Sequence, residues 1–281
     1  MSNHGVLYIV ATPIGNLSDF SMRAIETLKS VDKILAEDTR HSRPLLNHFA
    51  ITTPCIAFHE HNEHSMLHKI CDDIMSNTKY ALICDSGTPL ISDPGFPLVR
   101  EAHTRGIKVI PIPGPSATIT ALSAAGLPTD RFYFAGFLPA KSSNRRKRLE
   151  QLTKETCTLI FYESPHRIRD TVADMKEIIG PDRELVIARE ITKRFETIHK
   201  ARISDIKNWL AADDNQRRGE FVLLLAGAEP APETEHTELN IEKILQTLLT
   251  ELPLKQAVKL ATTMSGLKKN DIYQRALELK K

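Results

Sequence analysis

The chain has 281 residues, of which 41% are hydrophobic and 26% charged, with a formal net charge of +2. This length favours two compact units and a small appendage over one minimal domain. No apolar run approaches the roughly 20 residues of a bilayer-spanning helix, and the first residues lack the features of a secretory signal. We therefore expect a soluble, cytoplasmic protein that can bind nucleic acid only through a local basic patch.

The first part of the chain alternates apolar runs with helix-like segments. Strands are predicted at residues 7–12, 31–38, 80–87 and 107–114, and helices at residues 21–30, 96–106 and 116–126. The strands are almost continuously apolar, which is typical of parallel strands covered on both faces. This alternation predicts an α/β domain over residues 1–128.

A second α/β domain is predicted over residues 129–228. It starts with the run at residues 132–137 and a basic helix from about Asn144, and it continues with strands at residues 157–164, 184–190 and 220–227 around a helix at residues 166–179. The β-like run at residues 192–201 follows the strand before it without a helix. That succession predicts a mixed sheet.

The rest of the chain is predicted to be a linker and a small helical appendage. Residues 229–239 are rich in Pro and Glu without apolar periodicity, which indicates a linker. Residues 240–281 contain three short amphipathic segments, and from residue 241 onward eight Lys or Arg against four acids give a net charge of +4. A helix-turn-helix that contacts nucleic acid and a bundle docked on the protein body both fit this pattern.

Three loops rich in Gly, Pro, Ser and Thr each follow a predicted strand. They cover residues 12–17, 85–95 and 113–117. Ligands bind at the carboxyl ends of strands in open α/β sheets, and glycine allows the backbone to approach a ligand closely. Although any one of these loops could be an ordinary turn, three that converge predict a ligand site.

Common cofactor and metal motifs are absent from the sequence. No G-x-G and no phosphate-binding G-x-x-x-x-G-K-[ST] occur. Four separate cysteines without a C-x-x-C pair argue against a zinc site and against a disulfide framework. His61, His64 and His68 would share one helical face, but a solvated helix start explains them better than a metal site, and base stacking or phosphate contact is an alternative role.

Nine ordered motifs resemble one enzyme family. They are TPIGNL (12–17), EDTR (37–40), FHEHNE (58–63), DSGTPLISDPG (85–95), PGPSA (113–117), GFLP (136–139), FYESPHR (161–167), REITKRFE (189–196) and GEFVLL (219–224). Together they resemble the ribosomal RNA small subunit methyltransferase I family of tetrapyrrole-methylase-like enzymes, over nearly the whole chain. The Asp-Ser-Gly at residues 85–87, where many relatives have Asp-Ala-Gly, is a small-for-small difference.

The resemblance implies a fold and a reaction. The fold is two α/β domains with S-adenosylmethionine in the cleft between them, and the protein is usually a homodimer. The reaction is methyl transfer to the ribose 2′-hydroxyl of cytidine 1402 in 16S rRNA, at the decoding centre of the small ribosomal subunit. A methylase of a tetrapyrrole or precorrin on the same fold, and an RNA-binding module without catalysis, are the alternatives.

The resemblance also implies which residues bind the cofactor. The side from the first domain comprises Pro13, Asp85, Ser86, Gly87, Thr88, Pro89, Pro113, Gly114, Ser116 and Ala117. The side from the second domain comprises Phe161, Tyr162, Arg189 and Leu224. Asp85 is expected to accept a hydrogen bond from the cofactor's amine or ribose, and the Ser116 hydroxyl is expected to bind its carboxylate.

The sequence offers several candidates for the catalytic base and for RNA binding. A ribose hydroxyl is a poor nucleophile, so a base or hydrogen-bond acceptor is expected, and the candidates are Asp38, Glu60, Glu163, His166 and Glu190. Each of these residues also has a structural interpretation, such as pairing with a neighbouring arginine. Clustered cations predict an RNA phosphate site, at Lys141, Arg145, Arg146, Lys147, Arg148 and Arg167.

Overall fold

The computed structural model describes residues 5–229 and 233–279, without the side chains of residues 233–240. It divides into two compact units, one extending to Gly227 and one beginning at Ala228. In the described part of the chain, no helix is both long and apolar enough to cross a membrane.

The first half of the larger unit is built on a parallel five-stranded sheet with the order β3-β2-β4-β1-β5. Its strands are β1 (Val6–Val10), β2 (Lys33–Ala36), β3 (Cys55–Ala57), β4 (Tyr80–Ile83) and β5 (Lys108–Ile112). The helices are α1 (Met22–Ser30), α2 (Thr39–His48), α3 (Glu63–Met75), α4 (Phe96–Thr104) and α5 (Ala117–Ala124). Strand β3 and helix α2 were not predicted from the sequence.

Local chemistry accounts for several element ends in this half. Every residue of the central strand β4 is buried, as expected for a strand covered on both faces. The Ser21 hydroxyl accepts a hydrogen bond from Ala24 N at the start of α1, and the Asp38 carboxylate accepts one from Arg40 N at the start of α2. Such caps fix where each strand-to-helix loop ends.

The second half contains a mixed sheet with the order β6-β7-β10-β8-β9. Its strands are β6 (Phe132–Phe137), β7 (Thr158–Glu163), β8 (Glu184–Arg189), β9 (Thr197–Arg202) and β10 (Phe221–Leu225), and its helices are α6 (Ser142–Leu152), α7 (Ile168–Ile178) and α8 (Ile203–Ala212). Strands β6 and β7 run parallel, while the other neighbouring pairs are antiparallel. The predicted mixed sheet is confirmed.

The two faces of this second sheet pack against different parts of the unit. Leu159 and Phe161 of β7 belong to a core shared with α6, α7 and α8. Ile160 and Tyr162, which alternate with them along the strand, belong to a core shared with Ile14 and with α5 of the first half. The second face therefore lies toward the loops of the first half.

The smaller unit consists of α9 (Glu233–Glu251), α10 (Leu254–Ser265) and α11 (Lys269–Glu278) around its own apolar core. Gly266 ends α10 in the left-handed conformation at φ 70°. Helix α9 begins at Glu233, so the helical segment starts earlier than the predicted residue 240, and the predicted linker at residues 229–239 is partly helical. Residues 230–232 of that linker lie outside the described residues.

Candidate active site

A cavity of about 430 Å³ lies between the two halves of the larger unit. This volume is within the usual range of small-molecule sites. The first half contributes Ile14, Ser86, Ile91, Ser92, Asp93 and Ala117, and the second contributes Phe137, Tyr162, Glu163, Ser164, Pro165, Ile191, Glu220, Phe221 and Val222. Smaller cavities adjoin it through shared residues, since Ile14 also lines one of about 270 Å³ with Gly114.

The three predicted loops meet at this place through direct contacts. Thr12 N donates to Gly87 O at 2.8 Å, and Gly87 N donates to Thr12 O at 3.2 Å. The Thr88 hydroxyl donates to Pro115 O at 3.0 Å. A Cβ at Gly114 would lie 2.9 Å from the Ala11 Cβ, so glycine is required for this approach.

The cavity suits a cationic ligand with an apolar body. Its described lining includes three carboxylate residues, Asp93, Glu163 and Glu220, and contains neither Lys nor Arg. Glu163 pairs with Arg167 and Glu220 pairs with Lys193, so Asp93 is the member of this lining without an ion pair among the described residues. Helix α5 begins at Ala117 on the cavity wall, and Ser116 at its N-cap makes no side-chain capping bond. Free N–H groups of a first helical turn and an unused hydroxyl are suitable donors to a carboxylate. S-adenosylmethionine, which carries a sulfonium, an amine, a carboxylate and apolar ring surfaces, fits this set of groups.

The predicted cofactor residues of the first domain divide into two groups. Ser86 and Ala117 line the main cavity, and Gly114 lines the adjoining one. The others lie in the same loops without lining the main cavity: Pro13, Asp85, Gly87, Thr88, Pro89, Pro113 and Ser116. One carboxylate oxygen of Asp85 accepts a hydrogen bond from Asp38 N at 3.2 Å, so it holds two loops together.

Of the predicted residues in the second domain, Tyr162 lines the cavity and three do not. Phe161 is fully buried among the core residues on the opposite face of the sheet, and Leu224 is fully buried in the core that faces α5. The Arg189 guanidinium donates to the carbonyl oxygens of Asn215, Arg218 and Phe195. None of these three side chains lines the cavity, because each is used in packing or in contacts to backbone carbonyls, and their contact with the cofactor stays a prediction.

Three of the catalytic candidates are committed to structural contacts. Asp38 is held by Arg40, whose side-chain hydrogen bonds lower the pKa of Asp38 to about 2. Glu163 accepts from Ser164 N and the Thr171 hydroxyl, and it pairs with Arg167 at 2.7 Å. Both Glu163 oxygens are therefore occupied, although its side chain borders the cavity.

Glu190 is the third committed candidate. Its carboxylate pairs with Lys193 at 3.0 Å and accepts from Glu220 N at 2.9 Å. Burial favours a higher pKa, but these contacts outweigh it and lower the pKa of Glu190. Glu190 does not line the main cavity, so a role as the base is not supported.

The remaining two candidates lie in neighbouring cavities. Glu60 lines a cavity of about 310 Å³ that shares Ser92 and Asp93 with the main one. His166 is exposed and lines a groove of about 350 Å³ between α7 and α8. Neither side chain lines the main cavity.

Sequence reasoning missed two carboxyl groups near the cavity. Burial, with the charges of Asp93 and Asp85, raises the pKa of Glu37. Burial, with the charge of Asp85, also raises the pKa of Asp93, although the neighbouring Cys84 thiol lowers it. The signal that could have identified Asp93 is its place in the DSGTPLISDPG loop.

The predicted RNA phosphate patch is largely used inside the protein. Arg145 is buried and pairs with Asp174 at 2.7 Å, and Arg146 pairs with Asp174 and Glu177. Arg148 donates to the Tyr133 hydroxyl and to Gln151, and Arg167 pairs with Glu163. Lys141 and Lys147 are exposed. An RNA role for the buried Arg145 is corrected, because its guanidinium faces inward.

The histidine cluster is arranged as a surface feature. Helix α3 begins at Glu63, after His61, and the His68 ring contacts an Arg105 nitrogen at 2.8 Å. Among the residues that the structure describes, no group of three His, Cys, Asp or Glu side chains is placed to hold a metal ion.

Residues 6–207 match the family of tetrapyrrole (corrin/porphyrin) methylases, and residues 235–280 match the RsmI C-terminal HTH domain. The chain is 50% identical to a ribosomal RNA small subunit methyltransferase I of Pseudomonas aeruginosa, over 98% of this chain and 97% of that protein. It is 49% identical to the protein of the same name in Haemophilus influenzae, over 96% of this chain and 95% of that protein.

Solved structures share the fold. Diphthine synthase has a TM-score of 0.60 at 14% identity, covering 79% of this chain and 90% of that one. A cobalt precorrin-4 methyltransferase has a TM-score of 0.58 at 16% identity, covering 80% of this chain and 96% of that one. The predicted fold is confirmed by these likenesses, and the predicted cofactor by the family. The chain belongs to the tetrapyrrole methylase family, in its ribosomal RNA small subunit methyltransferase I group, and is an S-adenosylmethionine-dependent methyltransferase.

Proposed function

We propose that this chain methylates the ribose 2′-hydroxyl of cytidine 1402 in 16S rRNA. The relatives are named ribosomal RNA small subunit methyltransferase I, and this chain matches them over nearly their whole length. Both facts support small-subunit rRNA as the substrate. The ordered motifs of the sequence resemble that group and support the specific ribose. The observation that carries the chemistry is the cavity between the two halves, with three carboxylates and no cation in its described lining.

The loops around this cavity would hold the cofactor, which supplies a methyl group on a positively charged sulfur. Ser116 and the start of α5 would bind its carboxylate through hydroxyl and N–H donors. Tyr162 and Ala117 would cover its apolar surfaces. Most of the rate enhancement would come from alignment of the acceptor oxygen with the methyl carbon, since an in-line displacement depends strongly on geometry.

The RNA would reach the cavity across exposed cations. Lys141 and Lys147 are exposed on the surface of the second half. His166, Arg169 and Lys207 line the groove between α7 and α8, and Pro165 borders both this groove and the main cavity. A phosphate backbone held along these groups would present a ribose to the cavity. We also propose, from the resemblance, that the enzyme is a cytoplasmic homodimer.

Small ribosomal subunits that lack ribose methylation provide the direct test. Purified protein is incubated with them and radiolabelled S-adenosylmethionine, and the modified nucleotide is mapped by its resistance to alkaline cleavage. Label at the cytidine 1402 ribose supports the proposal. Label at another nucleotide refutes the specific site. Cofactor binding without RNA label points to another acceptor, tetrapyrroles first, whereas failure to bind the cofactor points to an RNA-binding module.

A further inference from the structure

Asp93 occupies a position that no other carboxylate in the described lining of the two cavities shares. It lines both the main cavity and the adjoining cavity of about 310 Å³. Its side chain is half-buried at the junction of the two. One carboxylate there can contact a group in the main cavity and still exchange protons with solvent through the second.

The loop that carries Asp93 is held in an unusual backbone conformation. Leu90 and Ser92 have φ angles of 73° and 69°, which non-glycine residues rarely adopt. Gly95 N donates to the buried Glu63 carboxylate at 3.1 Å, and this contact ties the loop to α3. Strained backbone of this kind persists where surrounding contacts enforce it, often at functional sites. The loop therefore fixes the backbone position from which the Asp93 side chain extends.

Asp93 also differs from Asp38, Glu163 and Glu190 in having no cationic partner, and it differs from Glu60, which is likewise absent from the ion pairs of the described residues, in lining the main cavity. Among the residues described by the structure, no Lys, Arg or His forms an ion pair with it, whereas Asp38, Glu163 and Glu190 all have one. The Cys84 thiol, a weak donor, lies beside Asp93 but donates to the carbonyl oxygens of Ser86 and Gly87 at 3.4 Å. The Asp93 carboxylate thus keeps acceptor capacity for a ligand.

The surroundings of Asp93 make it a stronger base than an ordinary aspartate. Burial is the main reason that the pKa of Asp93 is raised, and the negative charge of Asp85 adds to it. A carboxylate with a raised pKa accepts a proton more readily, and general bases work best when their pKa approaches the working pH. The charge of Asp93 in turn contributes to the raised pKa of Glu37.

We propose that Asp93 is the general base, which accepts the proton of the ribose 2′-hydroxyl during methyl transfer. The inference rests on the proposed function. The ribose oxygen forms its bond to the methyl carbon while the carbon–sulfur bond breaks and leaves its electron pair on sulfur. The hydroxyl proton moves to a carboxylate oxygen of Asp93. Asp93 then releases it to solvent through the adjoining cavity, which restores the carboxylate.

Several other titratable groups face Asp93 and contribute to the pH dependence of the site. The groups that interact with it electrostatically are Cys84, Asp85, Glu37 and Tyr162. The further carboxylates of the two cavities are Glu60, Glu63, Glu163 and Glu220. An experiment must therefore assign an observed titration to Asp93 itself.

The first experiment compares Asp93→Asn with the wild-type protein under single-turnover conditions. Asparagine keeps the shape of the side chain and an oxygen that can accept a hydrogen bond, but it is not a base. We expect the methyl-transfer rate to fall by about 10²- to 10⁴-fold. Cofactor affinity by calorimetry should fall far less than the rate, as one negative charge is lost from the cavity, and the melting temperature should change little. Asp93→Glu keeps a carboxylate and should recover part of the rate. Asp130→Asn, at an exposed loop position, is the matched control and should behave as wild type.

The second experiment reads the protonation of Asp93 independently of activity. Carbon-13 labelling of aspartate carboxyls, followed by NMR titration of the full chain, should show one resonance that disappears in Asp93→Asn and titrates above the ordinary aspartate pKa. The wild-type methyl-transfer rate should rise with pH, reach half of its plateau at that same midpoint and level off above it.

The outcomes separate this inference from the proposed function. If wild-type protein labels the cytidine ribose but Asp93→Asn labels it equally fast, or retains the pH inflection, Asp93 is not the base. If Asp93→Asn loses cofactor affinity in proportion to its rate, Asp93 holds the cofactor and the inference is also overturned. If the wild-type protein labels no ribose, it is the proposed function that fails.

Discussion

Replacing Arg145 with alanine is expected to destabilise the larger unit, whereas the sequence predicted an RNA contact for this residue. The Arg145 side chain is 3% exposed, and its Nε donates to Asp174 at 2.7 Å. A second guanidinium nitrogen donates to Ala140 O at 3.2 Å. The substitution leaves Asp174 without its buried partner and one backbone carbonyl without a donor.

The magnitude follows from these contacts. Removal of one partner of a buried ion pair costs about 3–5 kcal/mol. Asp174 keeps the Ser142 hydroxyl at 3.0 Å and an Arg146 nitrogen at 3.5 Å, so we expect the lower end of that range. For a unit of this size each kcal/mol lowers the melting temperature by about 2–4 °C. About 3 kcal/mol therefore corresponds to a decrease of roughly 6–12 °C.

Two assays distinguish a structural role of Arg145 from an RNA contact. Calorimetry of thermal unfolding measures the first, and RNA binding at 20 °C measures the second. Lys147→Ala is the matched control, because Lys147 is exposed on the same helix and such substitutions change stability by less than about 0.5 kcal/mol. Arg145→Ala should have a lower melting temperature than the wild-type protein and should bind RNA with the wild-type affinity at 20 °C. An unchanged melting temperature together with weakened RNA binding would refute the structural role of Arg145.

Three further predictions concern RNA binding, the cofactor loop and pH. Replacing both Lys141 and Lys147 with alanine should reduce the slope of log affinity against log salt concentration by about 1.5, since each lost phosphate contact contributes roughly 0.7–0.9. An unchanged slope would show that the RNA does not contact these two lysines. Gly114→Ala should weaken cofactor binding about tenfold by calorimetry, about 1.4 kcal/mol, because the new Cβ would displace the loop; equal affinity would show that the loop tolerates it. The pKa of Asp38 is lowered to about 2 in the folded protein from its ordinary value of 3.8. The ionised Asp38 carboxylate therefore stabilises the folded protein fully above pH 3.8, and this contribution is lost as the pH falls through the folded-state pKa. Asp38→Asn should thus lower the urea midpoint at pH 6 more than at pH 3, and a difference independent of pH would contradict this.

The sequence alone was sufficient for the class of fold and for the convergence of three loops at one sheet edge. Apolar runs such as Tyr80–Ile83 identify strands covered on both faces, because burial on both sides leaves no polar alternation. Gly and Pro after successive strands identify loops that meet at one sheet edge, and Thr12, Gly87 and Thr88 do contact across them. These features are local in sequence, so local patterns can predict them.

The roles of single side chains depended on packing between distant segments. Phe161 and Tyr162 are adjacent in the motif, yet one lies in the core beneath the sheet and the other lines the cavity. Alternation along a strand predicts that neighbours face opposite ways, but not which face borders the cleft. In the smaller unit, the helix that begins at Glu233 extends through Glu-rich sequence that resembles a linker.

Charged residues were the hardest to assign from sequence, because the partner of a charge is set by the tertiary structure. Arg145 looks like Lys147 in the chain, but α7 places Asp174 against only the first of them. The free carboxylate at Asp93 became recognisable only when the structure showed which neighbouring acids were already paired. The sequence by itself determined the α/β architecture, the convergence of three loops and the family. The tertiary structure decided which charges are free to act, because pairing and burial depend on residues that are far apart in the chain.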